Sequence, residues 1–167
     1  VDPIVAASYN NLFFVGGVTF GFPEQIGSII FYRSENNGID FSGPITVQLG
    51  SETDGSNDKP FFQIDNSPSL FSGRLYASYA RFTKKLQNTQ MLFQFSDDFG
   101  DSWSPIFQIT DVKEESKVNG ANIAVGAHGE VYVGWIELTP ETAIFWVRRS
   151  TDFGVNFTDP VPVAMFT

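Results

Sequence analysis

The chain contains three copies of one eight-residue pattern: serine, any residue, aspartate or asparagine, any residue, glycine, any two residues and an aromatic. The copies begin at Ser34, Ser96 and Ser150, so their starts are 62 and 54 residues apart. A repeat at this period indicates that one supersecondary unit recurs and that neighbouring units stack against each other. This repeat constrains the fold more tightly than any other feature of the sequence.

Each position of the pattern has a physical reason. The acidic or amide side chain at the third position accepts hydrogen bonds from backbone N–H groups further on and fixes a tight turn. Glycine at the fifth position adopts a positive φ at little steric cost. The aromatic at the eighth position is expected to insert into the apolar layer beneath the turn. The residues at these four positions are Ser34, Asn36, Gly38 and Phe41; Ser96, Asp98, Gly100 and Trp103; and Ser150, Asp152, Gly154 and Phe157.

The rest of the chain reads as short strands. Aromatic residues make up 16% of it, and 15 glycines and 9 prolines separate brief apolar runs. No window keeps the apolar spacing of an amphipathic helix, so few helices are expected. Each unit holds four strands in about 55 residues, which is the size of a propeller blade. The sequence therefore predicts an all-β chain of three four-stranded antiparallel blades, at about 1–50, 57–111 and 118–166.

The repeated pattern resembles the Asp-box, or bacterial neuraminidase repeat, of sialidase-like β-propellers. In that family the box joins the third and fourth strands of a blade and lies on the face opposite the active site. The resemblance thus implies that these residues are structural. The first copy differs by carrying Asn36, which can form the same turn without the charge. Because most such proteins act outside the cytoplasm, the resemblance also implies an extracytoplasmic or secreted location.

Three blades are too few to close a ring, since propellers have four to eight. The strands begin and end on whole blades, which would leave two unpaired outer surfaces, and exposed edges favour pairing with other chains. One interpretation is a part of a longer propeller whose other blades lie in the same chain. Another is a homodimer that completes a six-bladed ring. A three-layer or sandwich arrangement is the third alternative.

Composition excludes several partners. The chain has 10 Lys and Arg against 19 Asp and Glu, for a net charge of -9. This balance argues against nucleic acid and anionic membrane surfaces as ligands. No apolar stretch reaches the 18 residues of a membrane span. The chain also has no cysteine and therefore no disulfide framework.

The sequence supports no catalytic residue and no cofactor. Its one histidine, His128, lies in a predicted turn, which argues against a serine–histidine–aspartate site. The oxygen-rich loop 52–58 is a weak candidate for calcium, because its spacing differs from that of an EF-hand. Active sialidase-like proteins use three arginines, a tyrosine–glutamate pair and an aspartate. The Arg-Ile-Pro signature of the first of those arginines is absent, and no residue here matches the pair.

Polar residues precede each predicted first strand, at Asp2, Asp58 and Asn119. If the blade repeat relates them, they either cap the loops that enter the blades or form a ring of oxygen groups facing a ligand. Two functions follow from different classes. The first is a non-catalytic module that binds a glycan or a protein, or serves as a scaffold. The alternative is a fragment of a secreted, sialidase-like glycoside hydrolase whose catalytic residues lie in other blades.

Overall fold

A computed structural model of the chain describes residues 2–21, 26–83, 89–111 and 116–167. Those residues contain β-strands and no helix, so none of them forms an apolar helix long enough to cross a membrane. The strands are β1 (Ile4–Ala7), β2 (Phe13–Gly21), β3 (Ile26–Ser34), β4 (Ser42–Gln48), β5 (Ser56–Ile64), β6 (Leu75–Phe82), β7 (Thr89–Ser96), β8 (Phe107–Gln108), β9 (Lys117–Val125), β10 (Val131–Leu138), β11 (Ala143–Ser150) and β12 (Val161–Phe166).

The strands form three antiparallel sheets in which each strand pairs with the next one along the chain. The orders are β1-β2-β3-β4, β5-β6-β7-β8 and β9-β10-β11-β12. The all-β prediction of three four-stranded blades is therefore confirmed. Consecutive strands of alternating direction need only short turns, and the box pattern supplies the turn between the third and fourth strand of every sheet.

The sheets stack so that their first strands lie next to one another, because β5 contacts both β1 and β9. Side chains of β6 point alternately to the two neighbours, and its first six residues are buried. Leu75, Ala77 and Tyr79 join the core shared with the first sheet. Tyr76 and Ala80 join the core shared with the third sheet. The middle blade is thus buried on both faces, and each apolar core lies at a joint between two blades.

The first strands of the second and third sheets are longer than the sequence predicted. β5 begins at Ser56 and β9 at Lys117, whereas the apolar runs of the sequence predict that these two strands begin at Pro60 and Ala121. The reason is a bulge in each strand, between Asp58 and Phe61 in β5 and between Asn119 and Asn122 in β9. A bulge interrupts the two-residue alternation that marks a strand in sequence, yet pairing resumes beyond it.

Candidate functional site

The three box turns share one hydrogen-bond network. Ser96 Oγ accepts a hydrogen bond from Gly100 N at 2.7 Å and donates one to Asp98 Oδ1 at 2.7 Å. Asp98 Oδ1 in turn accepts a hydrogen bond from Ser102 N at 2.8 Å. The same bonds recur around Ser34 and Ser150. Because Asn36 makes them with its side-chain oxygen, the first turn closes without a carboxylate.

Two consecutive residues of each turn have a positive φ, where the sequence predicted only the glycine. The residues before the glycines are Asn37, Phe99 and Phe153, with φ of 62°, 58° and 61°. A phenylalanine in this region is uncommon, because its Cβ crowds the backbone. The serine and aspartate side chains hold the turn in this conformation through the bonds described above. The turn therefore holds the carbonyl group of the residue before the glycine in a fixed direction.

The aromatic residues of the second and third turns pack across the joint to the preceding blade. Trp103 meets Phe31 of the first blade edge to face, with ring centroids 6.2 Å apart. Phe157 meets Phe93 of the second blade at 5.0 Å. The sequence placed these rings in the apolar layer beneath their own turns; that layer is shared with the neighbouring blade. Phe41 of the first turn has no such neighbour and is 44% exposed.

Arginines fasten the second and third box turns to the blades before them. Arg33 Nη1 donates hydrogen bonds to the carbonyl oxygen of Phe99 at 3.1 Å and to Asp101 Oδ1 at 2.9 Å. Arg74 Nη1 donates to the carbonyl oxygen of Phe153 at 2.8 Å. Phe99 and Phe153 occupy the same position of the pattern, so both joints use the same carbonyl as acceptor. These contacts assign the box turns to packing between blades.

The hydrogen bonds of the second box turn make the stability of the fold depend on pH. Hydrogen bonds lower the pKa of Asp98 from 3.8 to about 2. The largest contribution comes from the Ser102 hydroxyl, followed by the Ser102 backbone N–H and the Ser96 hydroxyl. A lowered carboxyl pKa stabilises the fold above the pKa of the unfolded chain, and that stabilisation is lost as pH falls towards the folded value. We expect the melting temperature of the wild type to fall between pH 4 and pH 2 more steeply than that of Asp98→Asn.

The matched control is Ser102→Ala, which keeps the carboxylate and removes its main donor. The pH dependence of its melting temperature should resemble that of Asp98→Asn more than that of the wild type. Thermal melts followed by circular dichroism across this pH range measure the difference. Parallel pH profiles for all three proteins would show that Asp98 does not titrate with folding.

The strand ends opposite the box turns carry the predicted oxygen groups. However, only Asp58 and Asn119 occupy equivalent positions in their blades, and Asp2 does not. Asp58 pairs with Ala80, and Asn119 pairs with Ile136, at equivalent positions beside the two bulges. Asp2 lies one position later and corresponds to Lys59 and Gly120; these three residues have φ of 54°, 45° and 69°. The sequence comparison missed this offset because it could not count the bulge residues. Asp2 instead forms an ion pair with Lys59, with Oδ2 and Nζ 3.7 Å apart.

A buried polar pair that the sequence analysis missed lies at the same end of the middle blade. Asn57 is fully buried, and its Oδ1 accepts a hydrogen bond from Arg81 Nε at 2.9 Å. Arg81 Nη2 is also buried and has no hydrogen-bond partner in the described part of the chain. Asp58, beside Asn57, is partly exposed. We call Asn57 and Arg81 the Arg81 cluster; it offers a charged donor at a strand end, while Asp58 lies on the opposite face of the sheet.

A second polar space lies between the middle and third blades. Thr110, Glu137 and Arg148 line it together with the indole rings of Trp135 and Trp146, which stack with centroids 6.5 Å apart. Trp146 Nε1 and Arg148 Nε are buried and have no hydrogen-bond partner within the ranges that the structure describes. Its volume of about 80 Å³ is that of two or three waters, at ~30 Å³ each. The space is too small for a sugar ring, and Trp135, 4% exposed, belongs to the apolar core between the two blades.

Other candidates for chemistry are sparse. In the described residues no group of three or more His, Cys, Asp or Glu side chains could hold a metal ion. In the loop proposed for calcium, Asp54 Oδ2 accepts a hydrogen bond from Ser51 Oγ at 2.8 Å. His128 is exposed in its turn, and its backbone N–H donates to Glu130 Oε2 at 3.1 Å. None of these arrangements adds a reactive group to the strand ends.

Solved structures share this architecture. The α-L-arabinofuranosidase Arb93A of Fusarium graminearum, in complex with an iminosugar inhibitor, superposes with a TM-score of 0.69 at 10% identity over 98% of this chain and 48% of that one. An α-L-arabinanase of Penicillium chrysogenum complexed with arabinobiose gives 0.62 at 15% identity, over 91% and 44%. A thermostable family-43 glycoside hydrolase gives 0.58 at 13% identity, over 99% and 53%.

These likenesses show the fold, because the identities are low. The chain spans about half the length of each of these propellers. No protein-family model and no curated protein sequence matches the chain.

Proposed function

We propose that this chain is a sialidase-like, non-catalytic propeller module, acting outside the cytoplasm, that binds a glycan at the strand ends opposite the box turns. The observation that carries the proposal is the Arg81 cluster, where a buried guanidinium nitrogen has no hydrogen-bond partner among the described residues. Arg81 as a residue is partly exposed, and a charged donor that a ligand pairs at this strand end adds affinity. Asp2 and Asn119 supply further oxygen groups at the same end of the neighbouring first strands.

Carbohydrate is the ligand class that these groups suit. Sugar hydroxyls donate and accept hydrogen bonds, so different hydroxyls of one oligosaccharide can pair with a guanidinium such as that of Arg81 and with a carboxylate such as that of Asp58. The similar structures support the same class, since one was solved with arabinobiose. A non-catalytic role is supported by the residues themselves, because none of them matches a catalytic set of sialidase-like enzymes. A protein ligand would use the same surface and is a possible outcome of the test below.

The expected result is that the chain binds an oligosaccharide, identified on a glycan array that includes arabino-oligosaccharides, and that Arg81→Met weakens binding by about tenfold or more. A hydrogen bond from a charged group contributes ~1.5–3 kcal/mol, and about 1.4 kcal/mol corresponds to tenfold. Isothermal titration calorimetry measures the two affinities.

Arg148→Met is the matched control, because Arg148 also has a buried nitrogen with no partner among the residues described, but it lines the small space between the middle and third blades. Its affinity should equal that of the wild type. Absence of any glycan ligand, or equal losses in both variants, would contradict the proposal. Far-UV circular dichroism confirms that both variants are folded.

The second candidate is a fragment of a secreted glycoside hydrolase. It is favoured by the similar structures, which are hydrolases about twice as long as this chain. In this case further blades would carry the reacting groups, and flanking sequence should contain the Arg-Ile-Pro signature and a tyrosine–glutamate pair. A complete ring without both features would exclude the sialidase-type version.

A further inference from the structure

The third blade carries an arginine in the position from which Arg33 holds the next blade. Arg149 directly precedes Ser150, as Arg33 directly precedes Ser34, and both pair with the second residue of the neighbouring strand. Arg33 has an exposed side-chain fraction of only 15% because it is bound to the second box turn. Arg149 is 46% exposed, and its Nη2 lies 3.6 Å from Glu130 Oε1. Arg149 is therefore placed to bind the carbonyl of another box turn.

The sheet face around Arg149 is apolar and open. Leu138, Phe145, Val161 and Phe166 are 42%, 44%, 55% and 53% exposed. On the corresponding faces of the first two sheets, residues such as Phe31 and Phe93 are fully buried by the blade that follows. We call this surface the Arg149 face. Exposed apolar patches of this kind on a soluble domain mark interaction surfaces.

The first box turn has the features that such a face binds. A Cβ on Gly38 would meet no atom within 4 Å, whereas a Cβ on Gly100 or Gly154 would strike the blade before it. Phe41 is exposed, whereas its counterparts are packed. The sheet behind this turn has an open depression of about 400 Å³ lined by residues that include Val15, Gly17, Ile30 and Tyr32. One chain therefore exposes both surfaces that a joint between two blades needs: the Arg149 face and the surface around the first box turn.

We propose that a second copy of this chain places its first box turn on the Arg149 face, and that the reciprocal contact closes a two-fold ring of six blades. The joints between the first and second blades and between the second and third blades show how one blade packs on the next. A head-to-tail contact of this kind that closes after two copies gives a defined dimer. The acceptor for Arg149 would be the carbonyl oxygen of Asn37, which occupies the position of Phe99 and Phe153 in the pattern. Two copies also match the length of one similar propeller, of which a single chain covers 48%.

The test is the mass in solution of the 167-residue chain by size-exclusion chromatography with light scattering, between about 1 and 100 µM. We expect twice the chain mass of 18.5 kDa. Arg149→Glu and Phe41→Ser should each raise the dimer dissociation constant by about tenfold or more, because one removes the donor to the turn and the other removes its aromatic.

Leu70→Ser is the matched control, since Leu70 is 93% exposed and lies in the middle blade, away from both open faces. It should leave the dimer intact, and circular dichroism should show all three variants folded. A monomeric wild type, as expected if further blades of a longer chain occupy these faces, would overturn the proposal. An open polymer, or a dimer that neither Arg149→Glu nor Phe41→Ser weakens, would also overturn it.

Discussion

Replacing Arg74 with methionine is expected to lower the free energy of unfolding by about 2–3 kcal/mol. Arg74 is 5% exposed, and its Nε and Nη2 donate to the two oxygens of Asp97 at 2.7 and 2.9 Å. Its Nη1 donates to the carbonyl oxygen of Phe153 in the next blade at 2.8 Å. The guanidinium also lies between the rings of Phe71 and Phe95, 3.8 and 4.0 Å from their centroids. Methionine keeps part of the apolar stem contact but loses all three hydrogen bonds and both ring contacts, although Asp97 is 57% exposed and can be solvated by water.

Urea denaturation followed by tryptophan fluorescence measures this loss. Arg74→Lys should recover only part of the stability, because an ammonium cannot make the paired bonds and the contact with the carbonyl at once. Arg33→Met is the control from the other joint. The acidic partners Asp97 and Asp101 are similarly exposed, at 57% and 63%, but the Arg33 side chain is itself more exposed than that of Arg74, 15% against 4%. The loss for Arg33→Met should therefore be about 1 kcal/mol. Equal losses for Arg74→Met and Arg33→Met would show that burial does not set the strength of the joint.

The fold was predictable because its signal is local and repeated. Each box turn is built from contacts within eight residues, as in the bonds of Ser96 to Asp98 and Gly100. Three such turns at blade spacing fix the number of sheets, and short apolar runs between glycines and prolines supply the strands. The bulges were not predictable, because a residue such as Lys59 can be recognised as an extra residue in the strand only when the strand register is known. The same bulges caused the misalignment of Asp2.

The candidate site was only partly predictable. Asp58 and Asn119 were identified because each precedes an apolar run, which is visible in sequence. Asn57 and Arg81 were missed because their contact joins residues 24 positions apart and depends on which residues of β5 and β6 face each other. The joints between blades have the same property. Arg74 binds a residue 79 positions away, and no pattern within one repeat indicates that distance.

Gly100→Ala is expected to destabilise the protein by about 3–4 kcal/mol, and Gly73→Ala by about 1 kcal/mol. The two glycines have nearly identical φ, 96° and 95°, so both substitutions impose the same backbone strain. They differ in the space beside them. A Cβ on Gly100 would lie 2.1 Å from Phe31 Cζ, whereas the nearest atom to a Cβ on Gly73 is Phe99 Cε1 at 3.7 Å. The difference therefore measures how tightly the second box turn packs on the first blade.

Gly154→Ala extends the comparison, because its Cβ would lie 2.9 Å from the Phe93 ring and its cost should fall between the other two. Adding Phe31→Leu to Gly100→Ala should recover part of the loss, since the smaller side chain vacates the position of Cζ. A double-mutant cycle from urea denaturation gives that coupling. Equal losses for Gly100→Ala and Gly73→Ala, with no coupling to Phe31, would mean that the turn contributes backbone geometry alone. Coupling to Phe31 would show that the box glycine is required because another blade lies against it, which is a constraint that the turn by itself does not impose.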